Sequence, residues 1–534
     1  MSVFIGYPSF MAYQMMKGKK GNNDGFPSIP GMIARYSALG LTNEQMAENP
    51  VWKDLTGNGH DLQMKNFAWK GMSGVGGYGD ENYQTFYKFT LDDYVFIASP
   101  LGVKHMNFTF RVTGLQPGNK LTLAFFGTTN TVYGTWDKDG IYTVNSAVVE
   151  VGKPVYFYNG YGATRGEFTI EILPLYPGAL VFDGVDDYGV CDNFPILTKE
   201  KGYTVIALRQ RISMGEGISG LVSNVKNWFK DGAFILEYRY TKNSYFNRPV
   251  SFGAIGGEKD LPHILTYQTS KSYNGVSIAV GSFIGTDQLY VGKINNIIEN
   301  CTNAAIWELV SLDHDATEEE LTKIKDYFVK TYPWLFPDQA WTTVGKTNED
   351  EDRATIANIT GNGNDLVLSN FGFAEGSGYN EEGEYAGYLV TDGVDDGIVS
   401  SSFEMGKDFT IVGDWKFIGN KKSNTGLVKG SSFYIYNTMI GLDLYINSGS
   451  VKNSLDGIKS INAACSDGRA YDRNWNEILA NTGNVVGSGG MLEVSSSGGR
   501  FDRIAFKNLA IYPRILSKDD CIKAYNYLQT LKAK

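Results

Sequence analysis

Six aspartates fall in two identical pentapeptides, DGVDD at 183–187 and again at 392–396. Asp183, Asp186 and Asp187, with Asp392, Asp395 and Asp396, each place three carboxylates within a short stretch, and clustered carboxylates suit a hard cation such as calcium. The same letters spell a tight turn, because Asp side chains bond back to nearby backbone and Gly accepts positive φ. The turn reading ranks first. Repetition does not separate the two, since a structural turn would recur just as faithfully. A second chemistry is sugar binding, which needs an aromatic face flanked by hydrogen-bonding groups. Trp228 in NVKNWFKDG and Trp475 in AYDRNWNEI have polar neighbours on both sides, and Tyr471 and Asp472 accompany Trp475. The competing reading is an aromatic that caps its own sandwich. Trp307 and Trp415 alternate into expected strands and belong to the core.

Other chemistry finds little material. The acidic run at 349–352 reads as a solvated segment, and Glu318, Glu319 and Glu320 read as the start of a helix, where the dipole favours acids. The TGNG blocks at 56–59 and 360–363 have no Lys-Ser/Thr after them, so they are turns and not phosphate loops. Cys191, Cys301, Cys465 and Cys521 share no close spacing and read as free thiols. The four histidines lie far apart, leaving zinc sites and His-based triads without partners. A net charge of −10 gives no general attraction to nucleic acid or an anionic membrane surface. No apolar stretch is long enough to span a bilayer as a helix. The start, with lysines after its apolar part, does not read as a cleaved signal peptide, so the chain is expected to be made in the cytoplasm without secretion through such a signal.

The elements that would position these residues are mostly strands. At roughly 100–200 residues per domain, 534 residues imply three or four domains. Gly at 63 residues and charged residues at only 20% favour many turns and strands. Three blocks recur in order: TGNG-x-D-L at 56 and 360, DGVDD at 183 and 392, and the segments 305–328 and 505–528. The chain reads as two copies of one module. The first block precedes the second by 127 residues in copy one and by 32 in copy two, which leaves a 95-residue insertion in copy one. Within it, 108–126 alternates around a QPGN turn and reads as a hairpin; 141–151, 154–158 and 167–173 read as further strands. Strands are also expected at 203–212, 234–240, 276–283, 409–417, 432–437 and 441–447. Each module closes with an amphipathic helix, marked by the capping-box spacing of Thr317 and Glu320 in copy one and by Ser517 with Asp520 in copy two. The segment 333–338, PWLFPD, reads as a stiff linker.

The order of TGNG-x-D-L, DGVDD at a strand, and a last strand ending at a helix resembles the concanavalin A-like, laminin G-like jelly roll. The likeness rests on Asp61, Leu62, 182–188 and 309–328, and on Asp365, Leu366, 392–396 and 511–528. It implies an all-β chain of two jelly-roll sandwiches, each closed by a short helix, with an immunoglobulin-like sandwich inserted in the first. The expected domains are an N-terminal attachment arm (1–29), a discontinuous jelly roll (30–78 and 176–333), the insertion (79–175), a linker (334–340) and a second jelly roll (341–534). Glucanases of this fold carry a Glu-x-Asp-x-(x)-Glu cluster on one strand, which this sequence lacks. As a whole the chain looks like structural proteins of tailed phages of gut Bacteroidales, the crAss-like group. That likeness implies a non-enzymatic virion protein, on capsid or tail, without a cofactor unless calcium binds. Its arm would dock on other virion proteins, its faces would meet host-surface or mucosal glycans, and self-association stays open. A glycan-binding or glycan-processing protein and a bacterial surface adhesin are the alternatives.

Overall fold

The computed structural model describes residues 24–78, 86–89, 94–96, 105–125, 131–148, 155–159, 168–213, 219–227, 231–241, 244–248, 255–258, 264–277, 283–295, 301–382, 385–418, 425–429, 433–437, 441–446, 451–456, 461–479, 492–494, 496–497, 500–501 and 503–533. The chain is all-β, built from antiparallel sheets with few helices. It divides into two compact units, Met1–Glu81 with Tyr176–Tyr332, and Asn82–Leu175 with Pro333–Lys534. Among the described residues, no helix is long and apolar enough to cross a membrane.

In the first unit, one sheet centres on Asn303–Leu312, which pairs with Thr204–Arg211, Leu180–Asp183 and Met32–Ser37. The opposing sheet runs through Val222–Asn227, Leu289–Val291, Tyr188–Cys191, Leu62–Lys65 and Val51–Trp52. Alternation fixes which side chains point inward. Leu62 and Met64 are buried and Gln63 and Lys65 exposed, as a half-covered strand requires. Inward residues of both sheets share one core that includes Tyr36, Trp52, Phe182, Phe234 and Ile306.

The second unit repeats this layout. Ile504–Tyr512 is the centre, paired with Thr410–Phe417, Tyr388–Val390 and Gln339–Thr342. The opposing sheet includes Thr355–Ile356, Leu366–Ser369, Gly397–Ser400, Glu493–Val494 and Thr425–Lys429. Every residue of Ile504–Tyr512 is buried, because the core covers one face and the helix Lys518–Gln529 packs on the strand's other side. Thr355–Ile356 pairs with Leu366–Ser369 just as Val51–Trp52 pairs with Leu62–Lys65, although Ile356-Ala-Asn stands where the first unit has Trp52-Lys-Asp.

The inserted segment forms two four-stranded sheets, one through Gly140–Val148, His105–Thr113, Phe168–Ile172 and Phe86–Phe89, the other through Tyr94–Phe96, Val155–Asn159, Leu121–Phe125 and Thr131–Trp136. Phe110 packs edge-on to Phe157 and Trp136, with ring centroids 4.8 and 4.9 Å away. It groups with Pro333–Lys534 in the second compact unit. There the Thr109 hydroxyl donates to Asn526 Oδ1 at 2.9 Å and Asn526 Nδ2 donates to the Pro174 carbonyl at 3.3 Å.

Three local expectations need correction. The hairpin at 108–126 does not form: the Gln116–Asn119 turn closes, with the Asn119 amide donating to the Gln116 carbonyl at 3.0 Å, but it carries the chain from one sheet to the other, so His105–Thr113 and Leu121–Phe125 do not pair. The linker at 333–338 is integral structure. Pro333–Leu335 is a 3-10 turn with Trp334 and Leu335 buried, Lys523 lies over the Trp334 ring at 4.3 Å, and Gln339–Thr342 already belongs to the sheet. Its apolar side chains outweigh its prolines. The last part of the arm folds back on its own sandwich: Phe26 packs on Tyr327 with centroids 4.8 Å apart, Asp24 pairs with Arg35, and Ile29 is buried. The rest of the arm, 1–23, lies outside the described residues.

Candidate functional site

The paired acidic turns are the most chemically dense surface features that the strands position. Leu180–Asp183 and Tyr188–Cys191 sit in opposite sheets, so the residues between them must turn the chain across the sandwich edge. Gly184 makes this bend at φ 84°. Its aspartates bond locally: the Val185 amide donates to Asp183 Oδ1 at 2.8 Å, and the Asp183 amide donates to Asp187 Oδ2 at 3.0 Å. Ser73 Oγ donates to Asp187 Oδ1 at 3.0 Å, and Asn66 Nδ2 donates to the Asp186 carbonyl at 3.0 Å. The second turn reproduces this. Gly393 has φ 75°; Val394 and Asp395 amides donate to Asp392 Oδ1 at 2.7 and 3.3 Å; the Asp392 amide reaches Asp396 Oδ2 at 2.7 Å. Ser377 Oγ donates to Asp396 Oδ1 at 3.0 Å and Asn370 Nδ2 to the Asp395 carbonyl at 2.9 Å.

Asp187 and Asp396 are fully buried. Burial pushes the Asp187 carboxyl up to about 7, reinforced by the Asp183 charge and opposed by its two donors. Burial raises Asp396 as well. Within each turn, one oxygen from each of the three carboxylates lies within 4.8 Å of the others. Such a set could offer oxygens to calcium, in competition with the proton that burial favours on the inner carboxyl. The close carboxyls come from one turn, whereas a retaining glycosidase sets its pair across a sugar.

The TGNG blocks show the same economy. In the first sandwich, Asp54 Oδ1 accepts from the Arg35 and Thr56 amides, the Asp54 amide donates to Asp61 Oδ1, and Asn58 Nδ2 donates to the Ile33 carbonyl. In the second, Asn358 Oδ1 accepts from the Ala340 and Thr360 amides, the Asn358 amide donates to Asp365 Oδ1, and Asn362 Nδ2 donates to the Asp338 carbonyl. Thr, Asn and Asp in this motif are thus bonded to backbone that has no strand partner.

The expected sugar platform does not survive. Trp475 and Tyr471 are both fully buried, with the Trp475 ring edge-on to Tyr525 at 5.6 Å. The polar neighbours that suggested exposure build the turn that drives Trp475 inward: Asp472 Oδ1 accepts from the Asn474 and Asn476 amides, both at 2.8 Å, and Trp475 takes φ 57°. Asp472 is therefore a turn residue. Trp228 lies outside the described residues. Trp307 and Trp415 are buried, as core tryptophans.

Sequence spacing also passed over residues that the fold brings together. Arg35, in Met32–Ser37, pairs with Glu308 at 3.1 Å and Asp24 at 2.5 Å, while the Tyr332 hydroxyl donates to Glu308 at 2.8 Å. Burial is the largest effect and lowers the Arg35 pKa, but Glu308, Tyr327 and Asp24 together outweigh it and hold the guanidinium protonated. Arg209 pairs with Glu237, and both are fully buried. A lone charge inside an apolar strand, as in MIARYS or AIWELVSL, is the signal that marks such pairs. Near this end of the first sandwich lies a depression of about 260 Å³ lined by Asn58, His60, Ile196, Thr198, Lys201 and Asp313 among others. Ile196 is 59% exposed there, and His60 Nδ1 is buried without a hydrogen-bond partner.

No family model matches this chain, and no curated protein matches it. Among solved structures it is similar to a mutant of Trypanosoma rangeli sialidase displaying trans-sialidase activity, with TM-score 0.29 and 8% identity over 78% of this chain and 62% of that one. It thus spans under two thirds of that sialidase. Trypanosoma rangeli sialidase in complex with the inhibitor DANA gives TM-score 0.27 and 11% identity over 72% of this chain and 68% of that one. A structure on the cell entry of botulinum neurotoxin type C through two ganglioside molecules gives TM-score 0.25 and 9% identity over 61% of this chain and 89% of that one.

Proposed function

We propose that this chain is a non-enzymatic structural protein of a phage virion, built from two copies of a laminin G-like jelly roll with an immunoglobulin-like sandwich inserted in the first. The observation that carries the reading is the shared use of carboxylates. In both sandwiches the clustered aspartates hold a turn through amide and serine donors, with matching partners at matching positions. Groups engaged in shaping backbone are poor candidates for acid–base work. The resemblance to crAss-like structural proteins supplies the virion assignment, with residues 1–23 as the segment that docks on other virion proteins. Peptide mass spectrometry of purified particles tests it: the chain should appear at stoichiometric copy number, and its absence overturns the virion assignment.

A second reading, glycan binding, is favoured by the depression around His60 and Lys201. An aliphatic wall at Ile196 beside His60 and Lys201 offers the mixed surface that a sugar requires. Incubation with a polysaccharide panel separates the readings. Binding lost in His60→Ala without release of reducing ends supports the glycan reading, and release of reducing ends overturns the non-enzymatic one.

A further inference from the structure

Where the central strand of the first sandwich leads into its last helix, one histidine stands between two carboxylates. His314 Nδ1 lies 3.2 Å from Asp313 Oδ1, and Nε2 lies 3.2 Å from both oxygens of Glu320, in the first turn of the helix Glu318–Thr331. A neutral imidazole has one N–H to donate, so one ring nitrogen would turn a lone pair on a carboxylate; only the doubly protonated ring satisfies both. Two other cations approach from neighbouring turns: Lys271, held by the Asp315 carboxylate at 2.7 Å, and Lys201, which lines the same depression as Asp313. From the entry segment comes Gly31, which brings no charge. Its carbonyl accepts from the Asp313 amide at 2.9 Å, and at φ 68° it leaves no room for a side chain beside Asp313 and His314. The same segment reaches the helix through Phe26, which packs on Tyr327 and Phe328. The second sandwich has this frame with a different cation. Thr410 Oγ1 donates to the Arg514 carbonyl as Thr204 Oγ1 donates to that of His314. Arg514 Nη2 donates to the carbonyl of Phe336, which precedes Trp341 by five residues as Gly31 precedes Tyr36.

We propose that Asp313, His314 and Glu320 form a proton-gated strap: it holds the entry segment 24–31 and the start of the last helix to the first sheet while the imidazole carries two protons, and loosens both when one is lost. The strap is independent of the virion and glycan readings. Its tie runs through shared partners. Glu320 also accepts from the Thr317 amide and hydroxyl, both at 2.9 Å, so a lone pair on His314 that repels this carboxylate also pulls it from the helix cap. Asp313 carries the strain to Gly31, against which it is packed. The surrounding charges set the window. Burial works against the imidazolium, but Glu320 and Asp313 outweigh it and raise the His314 pKa above 6.5. Burial likewise opposes the Glu320 charge, and Thr317 with His314 outweighs it and lowers that pKa below 4.5. The histidine's share is fully present below 6.5 and lost as pH rises through its raised value; the glutamate's is present above 4.5 and lost as pH falls through its lowered value. The strap is therefore closed in mildly acidic solution and opens on the alkaline side. A guanidinium does not titrate there, so Arg514 gives the second sandwich no such gate.

The test uses the full chain with ring-labelled histidine, titrated by NMR, with His314→Gln assigning the His314 resonance among the four. His314 should titrate above 6.5, and Glu320→Gln should bring its midpoint down. Hydrogen exchange read by mass spectrometry at about pH 6 and about pH 8.5, corrected for intrinsic rates, then reports the strap itself. Protection of 24–31 and 317–321 should fall about fivefold at the higher pH, with 336–342 and 517–521 unchanged. His314→Arg, which installs the second sandwich's residue, should keep protection level across the range. Asp187 titrates in the same unit and is intact in that variant, so the contrast with the unaltered chain isolates the histidine. A His314 midpoint at or below 6.5, or an equal fall in protection in the unaltered chain and in His314→Arg, overturns the proposal.

Discussion

The strand pair Met32–Ser37 with Asn303–Leu312 and the pair Gln339–Thr342 with Ile504–Tyr512 share one register but bury different chemistry. Tyr36 faces Leu309 as Trp341 faces Leu509, and both donate to the TGNG loop, Tyr36 to the His60 carbonyl and Trp341 to that of Asn364. One step away, Arg35 and Glu308 in the first sandwich stand where the second has Ala340 and Asn508. The turns keep their aspartates and the core does not keep its ion pair. Side chains that satisfy irregular backbone have few substitutes, whereas a buried ion pair can give way to smaller or neutral groups of compatible volume.

The comparison breaks first at Glu308. Glu308→Ala strips the buried guanidinium of one of its two carboxylates, leaving Asp24 alone, and should cost about 3 kcal/mol, read as a fall in the urea midpoint of the first unit. The double change Arg35→Ala with Glu308→Asn installs the second sandwich's residues and should cost clearly less than Glu308→Ala alone. Equal losses in the two proteins would show that packing, not charge, sets the penalty.

Asp187 gives the next effect, and its sign separates a turn from a metal site. Its pKa rises from 3.8 to about 7 on folding, so the folded state holds its proton more tightly than the unfolded chain. This contribution is fully present below pH 4 and fades as pH climbs towards 7, by up to about 4 kcal/mol. Thermal unfolding should therefore show a first unit that loses stability from pH 5 to 7.5, with the slope flattened in Asp187→Asn. If millimolar calcium instead raises Tm at pH 7.5 and Asp183→Asn abolishes the rise, the turns are cation sites and the parallel between the two sandwiches becomes one of ligand binding.

Much of this architecture was legible in sequence because it rests on local rules. The all-β class, the strand at 203–212, the terminal helices and Trp307 follow from periodicity and capping, which need only neighbours along the chain. Failures came where distant residues decide. The QPGN stretch looked like a hairpin, yet its flanking strands pair with partners far away in sequence. Trp475 looked exposed because Asn474 and Asn476 are polar, yet those residues bond Asp472 and turn the indole inward.

Gly184→Ala and Gly393→Ala should have matched effects. Each glycine holds positive φ, and an added Cβ would come within 2.7 Å of Asn303 Cβ in one turn and 2.9 Å of the Arg503 amide nitrogen in the other. Each should lower stability by about 1–3 kcal/mol in its own unit, and a loss in one unit only would mean that the turns are not held alike.

The helix caps give the smallest contrast. Thr317 has the full capping box, with Glu320 Oε2 accepting from the Thr317 amide at 2.9 Å, whereas Ser517 accepts from the Asp520 amide at 3.1 Å and its hydroxyl bonds the Asp520 carboxylate. Aspartate is one methylene shorter than glutamate, so it meets the cap's side chain instead of its backbone. Thr317→Ala and Ser517→Ala should each cost about 1 kcal/mol. Glu320→Ala should cost about 0.5 kcal/mol more than Asp520→Ala, because it alone strips a partner from a cap amide. Measured by chemical unfolding of each unit, equal values at these two acids would mean that the returned hydrogen bond adds nothing, leaving the two helices held by their buried faces alone.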